Sequence, residues 1–502
     1  MTSLIGNHNV TNSTIENTII KGDNYVTNFT ITGVHPSLAN AVRRVCLSSI
    51  PIVGFDHTYY DDPEDNKIKI RKNVSSLHNE FIAHRISLIP VCMYKSKSQR
   101  IKIVADYDEE ISNVVYHFKN PHDLPTFSLH IKNDTATRQK HQVQNPDNNI
   151  DVLSNYIIIK GDDEHKEVQN FIIPDYFTGD YILIHRLKPN STSDEQNDAE
   201  EIDIDMELTI GTGYLNARYC PVGTVTYEFQ KDSVDVINQR FDMYMDNLTS
   251  QREEVTTSET EKLPPFKQSD KDQYRNSFML LDAERIYKKN KFGEPDIIKF
   301  SIESVGNLES NQIMYDTLTI LEIRSIIITN MFTWDRKLGT FTVNENRITK
   351  LINATNGFVE INIKNEDHTL GNLISSYLKK LFIIDKVLGE YCNFATYKMP
   401  HPLEETITII LGIDNTKDYL TLFSRYGLPL ATNPIDIAIN LIILSINSYL
   451  SKVAILKRNW ADITKMNTNS FDISTKLMTV LTKKFKDENG YDHRVAFEAL
   501  DY

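Results

Sequence analysis

The sequence predicts an α+β fold in which two similar strand–helix units pair with each other and a mostly β domain is inserted into the first. Three observations predict it. The turn Ser37-Leu-Ala-Asn40 is written again as Thr369-Leu-Gly-Asn372, and each copy follows an alternating stretch and opens an amphipathic one. Each copy is followed, much later, by a long apolar helical segment, 310–332 and 434–456. Between about residues 91 and 212 the texture changes to short alternating runs with Asn- and Asp-rich connections, which is how strands and turns read.

Taken in order, residues 1–24 form a polar tail. Residues 25–33 alternate and are rich in β-branched and aromatic side chains, hence a strand. Leu38, Val42, Val45 and Cys46 share one helical face, predicting a helix over 36–50. Pro36 suits its first turn, Ser37 is an alternative cap, and Pro51 stops it. Val53–Tyr60 reads as a strand, Asp61–Asp65 as a turn, and Glu80–Leu88 as a short helix or turn ending at Pro90.

Within the insertion, 133–150 and 189–201 are loop-like. Ile202, Ile204 and Met206 alternate with Asp203, Asp205 and Glu207, as in a half-buried strand. The acidic run 194–205 therefore predicts a solvated loop or edge strand rather than a metal site. The chain is expected to return to the first unit at 213–229, as the resemblance described below implies. Residues 232–250 read as a helix, 251–275 (with Pro264-Pro265) as a surface excursion, and 333–356 as a connector. As a flexible chain that connector would span about 25 Å root-mean-square. The second unit is strand 358–363, helix 369–382, strands 391–397 and 406–412, and helix 434–456. The predicted domains are thus 25–90 with 213–332, the insertion 91–212, the connector 333–356, the second unit 357–457 and an extension 458–502.

Composition narrows the function classes. The 502 residues carry Lys+Arg 54 against Asp+Glu 68, a formal charge of −14. Gripping nucleic acid through phosphates needs a basic footprint, so this balance argues against a main DNA-contacting role. No apolar run is long enough for a membrane span. The N-terminus lacks the apolar core of a secretory signal, so the Asn9 and Asn12 acceptor motifs read as chance. The four cysteines, Cys46, Cys92, Cys220 and Cys392, have no metal-knuckle spacing and read as free thiols.

Catalytic patterns are sparse. His78, Glu80 and His84 invite a metal-dependent hydrolase, yet their order is not His-Glu-x-x-His. Asp367-His368-Thr369 are adjacent on a turn, where three side chains rarely aim at one atom. His401, between two prolines, reads as a packed strand corner. No phosphate-binding glycine loop is present. The two units, each with an uncovered apolar helix face, are expected to bury those faces against each other. Obligate pairings of this kind bury on the order of 2,000–5,000 Å². Covalent linkage makes the second contact intramolecular, at roughly millimolar effective concentration.

Three stretches carry a resemblance: Val34–Pro51, Asn79-Glu-Phe-Ile-Ala-His-Arg-Ile-Ser-Leu-Ile-Pro90, and Glu366-Asp-His-Thr-Leu-Gly-Asn-Leu373 with Pro400-His-Pro-Leu-Glu404. The first half resembles the third-largest, alpha-like subunit of multisubunit RNA polymerases. The last third resembles their eleventh subunit. A fusion of the two resembles the arrangement in nucleocytoplasmic large DNA viruses. The resemblance implies a non-catalytic assembly platform in virion and host cytoplasm, with the nucleus as an alternative. It implies the largest and second-largest subunits, and small tenth- and twelfth-subunit-like proteins, as partners. It marks Asn40, Arg43, Arg44, Glu80, His84, Arg85, His368, Leu370, Asn372 and His401 as interface candidates. Arg43 and Arg44 would face the second-largest subunit. The family's zinc loop would follow Pro90, but only Cys92 stands there, so no zinc or other cofactor is expected. The free-standing hydrolase using His78, Glu80 and His84 is the alternative.

Overall fold

The computed structural model describes residues 14–17, 25–58, 65–96, 99–140, 147–160, 170–189, 199–258, 266–353, 358–414, 416–465 and 471–482. The Asn9 and Asn12 motifs, most of the polar tail, the turn at 61–64, Pro264-Pro265 and residues 483–502 lie outside them. The helices, in chain order, are α1 Pro36–Ser48, α2 Asn79–Ser87, α3 Thr135–Lys140, α4 Val234–Ser258, α5 Gln268–Leu281, α6 Ser310–Asn330, α7 His368–Phe382, α8 Tyr419–Arg425, α9 Pro434–Thr464 and α10 Thr475–Thr482.

Two antiparallel sheets enclose a layer of four helices. The first runs Thr14–Asn17, Val26–Thr32, Ile297–Ser304, Val222–Phe229. The second runs Ile348–Asn353, Phe358–Lys364, Thr406–Ile413, Cys392–Lys398. Between them α1 packs on α6 and α7, and α9 packs on α6 and α7. The inward residues alternate as a strand requires: Phe29, Ile31, Ile298, Phe300 and Ile302 of one sheet and Val359, Ile361, Ile363, Ile407 and Ile409 of the other belong to one continuous core that runs through the helix layer. α6 and the first half of α9 are apolar on nearly every face because they are covered on all sides, whereas the later turns of α9 keep an exposed side at Ala454, Arg458 and Asp462. That also explains why α9 is apolar enough to pass as a membrane span while 72% of the relevant window is buried.

The helix ends differ from expectation. Pro36 does sit in the first turn of α1, but the cap is His35, and Ser37 is the second helical residue. The helix stops at Ser48, two residues early, where Ser49 N–H bonds back to Val45. Pro51 stands beyond the end rather than making it.

The sheet pairing of the insertion starts before residue 91. Ile68–Asn73 pairs with Glu201–Met206, and Ile52–Phe55 pairs with Leu208–Gly211. The acidic strand Glu201–Met206 is central, between Ile68–Asn73 and Phe127–Lys132, not an edge. Its carboxylates are neutralised sideways. Glu201 meets Lys72 at 2.7 Å and His130 at 2.9 Å, and Asp205 meets Arg71 and, at 2.7 Å, Lys160.

Helices α4 and α5 pack on each other around a small core of their own, Ile237, Phe241, Met245 and Phe278 with Ala283 just beyond α5. Of the expected surface excursion, the described residues are mostly helix, 251–258 ending α4 and 268–275 opening α5. The expected connector is also built. Phe332–Asp335 and Thr340–Val343 form a hairpin, and Ile348–Asn353 is the edge strand of the second sheet. The extension is tied down as well. Asp472–Ile473 adds to Ile103–Asp108 of the insertion in parallel, and α10 packs on α6 with Leu477 fully buried.

Candidate functional site: the seam between the two units

The repeated turns face each other where α1 and α7 meet. In each, the residue before the helix caps it. The Asp367 carboxylate accepts from Thr369 N–H at 2.9 Å and from Thr369 Oγ1 at 2.9 Å. His35 Nδ1 accepts from Ser37 N–H at 3.1 Å, so its Nε2 carries the proton and donates to Glu294 at 3.2 Å. Ser37, expected as an alternative cap, is thus a second-position residue bonded to the real cap, and Thr369 stands in the same relation to Asp367. Leu38 and Leu370 are fully buried. Gly371 is small by necessity, because a Cβ there would lie 2.6 Å from the Tyr397 ring.

A chain of charges crosses the seam. Arg44 of α1 donates to Thr369 Oγ1 at 2.9 Å and reaches Asp367 at 3.4 Å. Arg324 of α6 donates to Asp367 at 3.3 Å and to Glu366 at 2.6 Å. Arg347 donates to Glu366 at 3.0 Å, to the carbonyls of Lys364 and Asn365, and to Ser112 of the insertion at 2.8 Å. Arg347 and Glu366 side chains are 1% and 2% exposed, so this pair is withdrawn from solvent. Burial alone would raise the Asp367 carboxyl, but Arg324, the Thr369 bonds and Arg44 hold it below the usual carboxylate range. On the other side of the α1 terminus, Lys380 lies 3.7 Å from Glu294 and 3.8 Å from Asp385. The His35 hydrogen bond lowers Glu294, while burial raises Asp385.

The candidate residues fall into three places. Arg44, His368 and Leu370 come together at the seam. Arg44 is engaged inside the chain, which sets it apart from Arg43, whose Nε and Nη2 both rest on Asn40 Oδ1 at 3.2 and 3.0 Å. His368 is exposed beside Tyr397. Asn372 accepts from Ser376 at 3.4 Å within its own helix. Glu80, His84 and Arg85 lie apart on α2, against the insertion, where Arg85 donates to Leu183 O at 3.1 Å. His401 is exposed, not packed, and its Nδ1 accepts from Leu403 N–H at 3.2 Å. Arg324, Arg347 and Glu366 were missed as site residues. The only sequence signal was the paired acids Glu366-Asp367 ahead of a helix.

The metal reading finds no geometry. His78 caps α2 and accepts from Glu80 N–H at 3.4 Å. His84 turns to His57, ring centroids 3.9 Å apart. Among the described residues no three His, Cys, Asp or Glu side chains are placed to share an ion.

A family profile described as the RNA polymerase Rpb3/Rpb11 dimerisation domain matches residues 28–324, and a second of the same description matches 359–425. The chain belongs to this family. Its relatives include DNA-directed RNA polymerases II, IV and V subunit 3 of Arabidopsis thaliana, 24% identical over 57% of this chain and 81% of the relative. The human DNA-directed RNA polymerases I and III subunit RPAC1 is 24% identical over 41% of this chain and 51% of its own length. The DNA-directed RNA polymerase subunit Rpo11 of Saccharolobus shibatae is 34% identical over 13% of this chain and 64% of its own length. The two dimerisation domains account for the α+β architecture and its internal repeat. Nothing in these relationships supports a hydrolase.

Proposed function

We propose that the chain is a non-catalytic assembly platform of a multisubunit DNA-dependent RNA polymerase. It carries two dimerisation partners fused in one polypeptide, as in large DNA viruses that replicate in host cytoplasm. The observation that carries this reading is the sealed seam. Two family domains pair through α1, α6, α7 and α9 and through the Arg44–Asp367–Arg324 bridge within one chain. Fusion fixes their stoichiometry and makes pairing intramolecular. The paired units would present one rigid body to the largest and second-largest subunits, with small tenth- and twelfth-subunit-like proteins alongside. Virion and viral factory are the places this implies.

The test is co-expression of the full chain with the two large polymerase subunits of the same genome. A stable complex with one copy of each is the expected result. Failure of this chain to co-purify with either large subunit would overturn the reading. No cofactor is needed for such a role. Elemental analysis of the purified chain is expected to find less than stoichiometric zinc, and one tightly held zinc per chain would show that the ligand set was misread.

A further inference from the structure

We infer that the strand Ile103–Asp108 of the insertion and the adjoining flank of α6 form a docking groove for a strand–helix segment. Its occupant is the chain's own residues 471–482, a latch that closes only once the two units have paired. The segment lies beyond both family domains.

The groove is shared between two bodies. In the insertion, Ile103–Asp108 is covered along one edge by Asn113–Phe118. Its other edge takes Asp472–Ile473 in parallel, with Ser474 N–H on Ala105 O at 2.9 Å. An open strand edge is a template for a further strand, and adding one is a general mode of segment recognition. In the first unit, α10 lies on α6, and Asn330 Nδ2 donates to Val480 O at 2.6 Å. Three apolar anchors fix the segment. Phe471 stands edge-on to Tyr116 with centroids 5.8 Å apart. Leu477 and Leu481, one helical turn apart on the same face, are buried with it.

Polar contacts set the direction of the segment. Asp472 meets Lys119 at 2.7 Å, the Ser474 hydroxyl donates to the Asp106 carboxylate, and Lys476 lies 3.8 Å from Glu109. These ion pairs are exposed and hold little by themselves. Their order, acid then base on the segment against base then acid on the hairpin, favours one orientation over its reverse.

Two features make the segment a latch. α10 has eight residues, too few to hold as a helix without the surface beneath it, so it orders as it docks. Its tether is also short. Phe471 follows Lys465, the C-cap of α9, by six residues, which reach at most about 21 Å when extended. The end of α9 is brought to the first unit by pairing itself, since Trp460 is seated on Phe29 and Asn311. Before the units pair, so short a tether on the second unit has no groove within reach. After pairing, it supplies the segment at roughly millimolar effective concentration. The insertion is thus fastened to α6 last.

Hydrogen exchange of the full chain, read by mass spectrometry, tests this. Leu477→Asp is expected to speed exchange of residues 103–108 about tenfold or more, with strands Phe358–Lys364 and Thr406–Ile413 at the parent rate. A synthetic peptide of residues 471–482, added to that variant, is expected to restore slow exchange, and a peptide without effect would show that no groove exists. Asp472→Lys, exposed and opposite Lys119, is expected to give a smaller rise. If Leu477→Asp speeds exchange throughout the chain and Asp472→Lys leaves 103–108 unchanged, Leu477 is a core residue and the inference falls. It falls equally if neither variant alters 103–108. Protection that rises with chain concentration would put the segment of a second copy in the groove and overturn the latch. In pulse labelling during refolding from urea, residues 471–482 are expected to gain protection after α9. Protection no later than that of α9 would overturn the order of closing.

Discussion

Arg347→Ala is expected to destabilise the chain by about 2–4 kcal/mol, because it takes from the buried Glu366 carboxylate one of its two arginines, leaving only Arg324. The arginine also satisfies three backbone carbonyls, from Ser112, Lys364 and Asn365, and these come from the insertion and the second unit. Urea unfolding checks the magnitude. Arg347→Met with Glu366→Gln removes both charges but also takes Glu366 from Arg324, which keeps Asp367, so only part of the loss is expected to be recovered. A loss below about 1 kcal/mol for Arg347→Ala would mean that Arg324 alone satisfies Glu366.

The same network sets an acid dependence. Asp367 is depressed in the folded chain, so its contribution is fully present above the ordinary aspartate value, about pH 4. It is lost as pH falls through the lower folded value. The cost of Arg324→Met should therefore shrink on acidification below about pH 4. A cost that stays constant between pH 7 and pH 3 would assign Arg324 a packing role alone.

Much of the fold was legible because its signals are local. Pro36 ahead of Leu38, Val42, Val45 and Cys46 states a helix start and its buried face within a few residues. The alternation at Ile202, Ile204 and Met206 states a strand and its inner side. What was not legible depends on partners far along the chain. Arg347 reads as one more polar residue of a connector until Glu366 and Ser112 close around it. The strand Glu201–Met206 reads as an edge because the cations flanking it, Arg71, Lys72 and His130, lie on other strands. His35 was passed over as a cap because side-chain preference favours Ser37 there, while the Glu294 contact that fixes the His35 tautomer comes from a distant loop. Arg44 was marked as a docking residue by the resemblance alone. Its Thr369 and Asp367 partners lie in the other unit, and no reading of one helix alone reveals them.

Trp460→Ala is expected to cost about 3–5 kcal/mol, the usual range for removing a large buried aromatic. The residue lies beyond the point where the second unit was expected to end, on the last turns of α9. It is fully buried, packs edge-on against Phe29 of the first sheet at 4.7 Å between centroids, and donates its indole N–H to Asn311 O at 2.9 Å. One side chain of the second unit therefore seats both a strand and the start of α6 in the first. Trp460→Phe keeps the aromatic contact but gives up the hydrogen bond, and is expected to cost less, about 1–2 kcal/mol. With only two tryptophans in the chain, Trp334→Phe isolates the Trp460 signal. Its emission should be that of a buried indole and should shift to the red as the units part. If Trp460→Ala unfolds at the same denaturant concentration as the parent, the end of α9 is not part of the seam, and the extension only lies along the first unit.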